Sequence, residues 1–282
     1  MSLEITPLDA ALGAEVSGLD ISHPMNQAEV DAIQDAFLEH QLLCIRSKPL
    51  SPQDFSALAS HFGKPQLQLI RKSRHGYEPD ISMLDSTSKN PEAKPANFKL
   101  NRKSGWHTDD SYFEVPAKVT LLQSIEIPDS GGHTRFCNTR KAYEDLPSVD
   151  KKRVEGLKAV HGYDTMRAPA RAAKRTQQET EETPEVVHPL VRTHEDTGAK
   201  AFYLNPNRTD RIVDMARDES DTLLDWVQET ITKDKYRYDH EWRVGDILIW
   251  DNRCLVHSVN VDFPVGQTRL HQRILLEGSR PQ

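Results

Sequence analysis

EWRVGDILIWDNRCLVHSV (241–259) and, one short turn later, TRLHQRILLEG (268–278) decide the fold of this chain. Both are rich in strand-forming residues, and the turn between them is expected near Pro264–Gly266. Other segments have the same β character: KVTLLQSIEI (118–127), the residues around His133–Phe136, and LLCIR (42–46), which reads as a buried strand. Residues 3–20 read as short strands with a turn at Gly18, and VVHPLVRTHEDTGAKAFYL (186–204) as a hairpin turning near Asp196–Gly198.

Helices surround these strands. In NQAEVDAIQDAFLEH (26–40), Val30, Ile33, Phe37 and Leu38 recur at helical spacing. SPQDFSALASHFG (51–63) offers Ser51 as N-cap, Pro52 at the first helical position and Gly63 as the stop. TRKAYEDL (139–146) and DKKRVEGL (150–157) read as short helices, and DESDTLLDWVQETI (218–231) puts Leu223, Leu224, Val227 and Ile231 on one side. Two stretches have no period: 86–105, polar and basic, and 165–185, basic and then acidic. Loops of that length in a compact domain are usually functional or disordered, so both are candidate active-site loops. The pattern predicts a mainly β protein with helical decoration, built on a double-stranded β-helix (jelly-roll) core, and residues 1–282 are expected to form one domain.

Composition narrows the function. The 282 residues carry a formal net charge of −7, with 37% apolar and 28% charged residues. That balance suits a globular protein and speaks against a nucleic-acid surface, which needs a basic face. It leaves room for small anionic substrates in a locally basic pocket. Cys44, Cys137 and Cys254 are far apart and odd in number, so no disulfide framework or zinc knuckle is expected. No signal peptide and no stretch approaching a membrane span is seen, which makes a cytoplasmic location the expectation.

The chemistry starts at Trp106-His107-Thr108-Asp109. On a strand, residues two apart share a face, so His107 and Asp109 could reach one metal ion. Alone, the pair is as readily a surface feature. His257 would complete a set of two imidazoles and one carboxylate, which suits iron(II) and leaves coordination positions open for a bidentate co-substrate and dioxygen. Twelve residues on, Arg269 would sit beside the metal, where its guanidinium fork suits the far carboxylate of 2-oxoglutarate. Arg273, four residues further along the strand, shares the face of Arg269.

WHTDDSY (106–112), GGHTRF (131–136), WRVGDILIWDNRCLVH (242–257) and RLHQR (269–273), with the early PLDAALGAEVSGLD and AFLEHQLLCIR, resemble the taurine dioxygenase and 2,4-dichlorophenoxyacetate dioxygenase family over nearly the whole chain. The resemblance implies that His107, Asp109 and His257 are the iron ligands and that Thr134 and Arg269 hold 2-oxoglutarate. It also implies that Arg273 contacts the substrate anion, with Trp242 and Trp250 near the metal. The co-substrates would be 2-oxoglutarate and dioxygen, the products succinate and carbon dioxide, and the assembly a homo-oligomer, dimer or tetramer. The substrate would be an aryloxyalkanoate, another carboxylate or a sulfonate. Departures matter here. Where the taurine enzyme carries a His and a Tyr for its sulfonate, in the segment matching roughly residues 67–75, this chain has QLQLIRKSR (66–74), so taurine is not the expected substrate. Arg71, Lys72 and Arg74 keep an anion preference in view. Two rival readings remain at this stage: a metal-dependent hydrolase built on the same ligands, and a non-catalytic protein that binds 2-oxoglutarate.

Overall fold

The computed structural model describes residues 3–21, 23, 25–71, 74–86, 105–168, 174–264 and 266–282. The expected loop at 86–105 lies outside these residues apart from its two ends, as do Lys72 and, within 165–185, residues 169–173.

The main sheet runs β1 (Glu4–Pro7), β2 (Ala14–Ser17), β3 (Leu42–Ile45), β14 (Ile247–Asp251), β6 (Ala117–Glu126), β16 (Leu270–Glu277) and β4 (Pro65–Gln66), with β5 (Ile81–Asp85) also paired to β16. Only β2 and β3 pair in parallel in this sheet. A smaller sheet, β13 (Arg237–His240), β7 (Thr134–Asn138) and β15 (Leu255–Val259), lies against it. Outside it sit the sheet of β12 (Thr209–Ile212), β8 (Lys158–His161) and β9 (Val186–Pro189), and the pair β10 (Val191–Thr193) and β11 (Lys200–Phe202).

Period-two alternation sorts the side chains into layers. Ile247 and Ile249 of β14 pack outward with Val119, Leu121, Ile33, Phe37 and Phe55. These helical residues belong to α1 (Gln27–His40) and α2 (Pro52–Ser60). Leu248 and Trp250 point inward, against Phe136 and Leu255 of the smaller sheet. That sheet turns Cys137 and Val256 outward onto Leu223, Leu224, Val227 and Ile231 of α6 (Arg217–Ile231). The result is helices, sheet, sheet, helices, with the site between the two sheets. Truncating a core phenylalanine such as Phe136, fully buried, would cost about 3–5 kcal/mol.

Local signals explain the helix starts. Asn26 caps α1 in a capping box: its side chain accepts from Glu29 N–H at 3.1 Å, and Glu29 accepts from Asn26 N–H at 2.9 Å. Ser51 caps α2, accepting from Asp54 N–H at 3.2 Å, with Pro52 at the first helical position. The short helices expected near 139 and 150 are α3 (Thr139–Glu144) and α4 (Ser148–Val154). Among the described residues, no helix is long and apolar enough to cross a membrane.

The turn expected near Pro264–Gly266 links β15 to β16 and crosses from one sheet to the other, since β15 joins β7 and β16 joins β6. Three expectations need correction. A pattern of alternation shows that a segment is a strand but not which strand it meets. The hairpin is confined to β10 and β11, with β9 pairing to β8 instead. The stretch 165–185 is not irregular throughout, since α5 (Gln177–Glu181) forms behind a Thr176–Glu179 capping box. Finally, the bend expected at Gly18 (φ +73°) lies after β2, and the turn that joins β1 to β2 spans residues 8–13 and closes on Gly13 (φ +98°). A Cβ at position 13 would meet Leu8 Cδ1 at 2.8 Å.

Candidate active site

His107 is not in a strand. It forms a single antiparallel bridge with His257, the two backbones exchanging hydrogen bonds of 2.9 and 2.7 Å. The bridge brings the imidazoles side by side, with ring centroids 4.1 Å apart and planes tilted by 47°. The chain then turns at Asp109–Asp110, with Asp110 at φ 54°, and this turn brings Asp109 back. His107 Nε2 and His257 Nε2 each lie 3.9 Å from an Asp109 oxygen. The three potential ligand atoms fall within 4.8 Å of one another. The two-residue spacing thus works through a bridge and a turn, not through a shared strand face.

The surroundings prepare these groups as ligands. His107 Nδ1 donates to the Gly105 carbonyl at 3.0 Å, which fixes the tautomer and leaves the Nε2 lone pair free. A Cβ at Gly105 would meet Ser258 Oγ at 2.6 Å, so this approach requires glycine. Burial, then His107, push the His257 imidazole down to about 3, so it is neutral. Burial alone would raise Asp109, but His257, Arg273, His107 and the Thr120 hydroxyl outweigh it and hold the carboxyl at about 2. Neutral imidazole and ionised carboxylate are the forms that bind a metal. Asp110 behaves oppositely: burial and the Asp109 charge push it up to about 6.

Thr120 and Asn252 support the ligands, and sequence reading missed both. Thr120 Oγ1 donates to Asp109 Oδ2 at 2.7 Å and accepts from Asn252 Nδ2 at 2.7 Å. Trp250 Nε1 donates to Asn252 Oδ1 at 2.9 Å, and its ring lies 4.8 Å from that of His257. Two signals were present in the sequence. Thr120 is the only hydroxyl in the apolar run 119–122, and Asn252 sits inside the motif that ends at His257.

Thr134 and Arg269 do meet. Arg269 Nη2 and Trp242 Nε1 both donate to Thr134 Oγ1 at 3.0 Å. With both lone pairs used, the threonine proton is left to donate to a ligand. Arg269 Nε donates to the Gly132 carbonyl at 3.0 Å. The guanidinium is buried, and burial pulls it down to about 10, so it stays charged. Among the described residues it has no carboxylate partner. A buried unpaired charge costs several kcal/mol, and an anionic guest would repay that cost.

Arg273, not Arg269, touches the Asp109 carboxylate. Its Nη1 lies 3.3 Å from Asp109 Oδ1 and its Nη2 donates to Gln68 Oε1 at 2.7 Å. Of the basic residues expected to favour an anion, Arg71 pairs with Glu182 at 2.7 and 2.9 Å, and Arg74 donates to the Gln68 carbonyl at 2.9 and 2.6 Å. A cavity of about 470 Å³ opens onto His107 and Asp109, with Arg208, Arg273, Leu69 and Met83 in its walls.

The family described as taurine catabolism dioxygenase TauD, TfdA matches residues 4–275. The chain is 32% identical to an alkylsulfatase of Acinetobacter baylyi, over 98% of this chain and 85% of that protein. It is 31% identical to an alpha-ketoglutarate-dependent 2,4-dichlorophenoxyacetate dioxygenase of a Burkholderia species, over 91% of this chain and 89% of the other. The crystal structure of AAD-2 in complex with Mn(II) and N-oxalylglycine superposes with a TM-score of 0.83 at 26% identity, covering 100% of this chain and 99% of that one.

Proposed function

This chain belongs to the taurine catabolism dioxygenase TauD, TfdA family, and from that premise we propose that His107, Asp109 and His257 hold its iron(II) while Thr134 and Arg269 hold 2-oxoglutarate. The activity is that of an iron(II)- and 2-oxoglutarate-dependent dioxygenase, consuming dioxygen and releasing succinate and carbon dioxide. The observation that carries the residue roles is the convergence of two imidazoles and a carboxylate within 4.8 Å of one another, with His107 and Asp109 on the wall of a cavity. The donor set fits iron(II), and the buried, unpaired Arg269 beside the free Thr134 proton fits a carboxylate.

When bound, the metal supplies dioxygen activation and the oxidation coupled to decarboxylation of 2-oxoglutarate. The protein's own residues orient and insulate. Gly105 aims His107, while Thr120 and Asn252 aim Asp109. Phe136 and Trp250 keep His257 dry, with ring centroids 6.0 and 4.8 Å from its imidazole. Arg269 would take the far carboxylate of 2-oxoglutarate in a two-point contact and Thr134 would donate to it, which fixes the co-substrate's orientation.

The substrate is a small organic anion, an aryloxyalkanoate, another carboxylate, a sulfate ester or a sulfonate. Supporting this are the arginines in a partly apolar cavity and the 2,4-dichlorophenoxyacetate and sulfate ester named for relatives. We read residues 1–282 as one domain because β1 and β16 share a sheet. A homo-oligomer follows the family resemblance, and three buried free cysteines suit a reducing cytoplasm.

Anaerobic titration with iron(II) and 2-oxoglutarate tests the assignment through the visible charge-transfer band of the chelate. Wild type should show it, His107→Ala should not, and Arg269→Ala should need far more 2-oxoglutarate. Equal bands in all three would overturn the residue roles. Iron binding with no oxygen-dependent succinate formation would favour a binding protein, and turnover without oxygen a hydrolase.

A further inference from the structure

We infer that His271 is a further residue for the co-substrate, its imidazole donating a hydrogen bond to the far carboxylate of 2-oxoglutarate beside Arg269 and Thr134. The inference rests on the dioxygenase reading and deepens it by adding a neutral donor to the charged one.

Alternation along β16 sets the direction of this side chain. Ile274 and Leu276 pack outward with the helices, so His271 and Arg273, on the other face of the strand, point between the two sheets. Arg269 points the same way, since it bonds Thr134 of the smaller sheet. His271 is fully buried, and neither of its ring nitrogens has a hydrogen-bond partner among the described residues. Burial, then the charge of Arg269 and the neighbouring His240, hold the imidazole well below its ordinary value, so it is neutral. A neutral ring has one N–H to give and one lone pair to receive.

Two histidines pack edge to face on the indole of Trp242: His240 at 4.7 Å and His271 at 4.6 Å between ring centroids. They differ in what they hold. His240 is spent, with Nε2 on Asp246 at 3.2 Å and Nδ1 on Tyr238 Oη at 3.0 Å. His271 holds nothing. A buried polar group without a partner costs free energy, and a leucine would fill the same space without that cost. The indole also ties His271 to the co-substrate residues. Trp242 Nε1 donates to Thr134 Oγ1 at 3.0 Å, and the Arg269 guanidinium lies 6.0 Å from the indole centroid. The idle N–H of His271 and the buried charge of Arg269, which has no carboxylate among the described residues, thus border one indole. A single anionic guest would answer both. A neutral imidazole suits this place because it adds a donor without setting a second cation against Arg269.

The test is calorimetric titration of the Mn(II)-loaded protein with two keto acids, 2-oxoglutarate and 2-oxopentanoate. The second keeps the chelating end and lacks the far carboxylate. His271→Leu should weaken 2-oxoglutarate roughly 30-fold, the size expected for losing a hydrogen bond to a charged group. It should leave 2-oxopentanoate unchanged, and His271→Gln, which keeps a donor, should recover part of the loss. The Tm of ligand-free His271→Leu should not fall, because the substitution removes two unpartnered polar atoms. An equal loss for both keto acids would mean that His271 only packs against Trp242, and would overturn the inference. So would an unchanged affinity for 2-oxoglutarate, which would mean that the ring bonds a buried water instead. Wild type that takes up Mn(II) but binds neither keto acid would sink the dioxygenase reading, and the inference with it.

Discussion

Among the described residues, three clusters each bring a histidine, an aspartate and a third potential ligand within metal-binding distance, and two of them make the sharpest pair: His107, Asp109 and His257, and His194, Asp251 and Cys254. By composition either could hold an ion. Their hydrogen bonds separate them. His194 Nε2 donates to Asp251 at 2.9 Å, and its Nδ1 accepts the backbone N–H groups of Asp196 and Thr197 at 3.2 and 3.3 Å. Asp251 also accepts both Nε and Nη2 of Arg253 at 2.8 Å. Every strong donor and acceptor there is spent. In the first cluster, among the described residues, the Nε2 atoms of both histidines have no hydrogen-bond donor, and the carboxylate is steered by Thr120 and Arg273 rather than saturated. The lesson is that a metal site is recognised by what its ligands leave undone and by the cavity beside them.

The sharpest way to break that contrast is to remove one carboxylate from each cluster. Asp109→Ala should lower oxygen-dependent succinate formation by about a thousandfold or more, about 4 kcal/mol of transition-state stabilisation, with little change in Tm. Asp251→Ala should do the reverse. It leaves Arg253 and His194 buried without their main partner, a loss of about 3–5 kcal/mol in stability, while iron(II) affinity is retained. Calorimetric metal titration beside thermal unfolding reads both. Iron binding lost in the second variant, or coupled turnover kept in the first, would erase the distinction.

The same contrast shows how far the sequence reaches. The triad, Thr134 with Arg269, the helix caps at Asn26 and Ser51 and the strands around Ile247–Trp250 were legible, because each is carried by local spacing or by a motif. What sequence reading missed is non-local. The bridge that faces His107 with His257 joins residues 150 positions apart, and the crossing of β15 and β16 into different sheets depends on partners that alternation does not name. The helix α5 is the exception. Its Thr176–Glu179 capping box was visible, but the segment has no apolar period, since one side chain, Glu179, buries itself by bonding backbone N–H groups of Arg71 and Thr176.

A smaller effect sharpens the comparison at the supporting residues. Thr120→Val removes the hydrogen bond to Asp109 and leaves Asn252 Nδ2 without its acceptor, in nearly the same volume. Loss of such a ligand-orienting contact costs roughly 10–100-fold in metal affinity. Iron(II) titration should show a weakened but measurable site, with 2-oxoglutarate still producing its band at higher metal concentration. An unchanged affinity would mean that Asp109 is positioned by Arg273 alone.

The smallest effect expected is almost no reaction at all, and it concerns the spent clusters. Burial pushes the Cys44 thiol up to about 12 and raises the Cys254 thiol well above its ordinary value. Cys44 belongs to a third cluster, with His240 and Asp246, whose charges are also paired internally: Asp246 receives Arg243 N–H at 2.8 Å and His240 Nε2 at 3.2 Å. Thiolate is the form that alkylates. At pH 8 a thiol titrating near 12 holds roughly a thousandfold less of it than one at the ordinary value. Native protein treated with iodoacetamide should therefore stay unlabelled at all three cysteines, while denatured protein takes three labels. Rapid labelling of Cys254 in folded protein would show that its cluster is open to solvent and carries a usable thiolate, and the line drawn here between a prepared metal site and a saturated one would have to move.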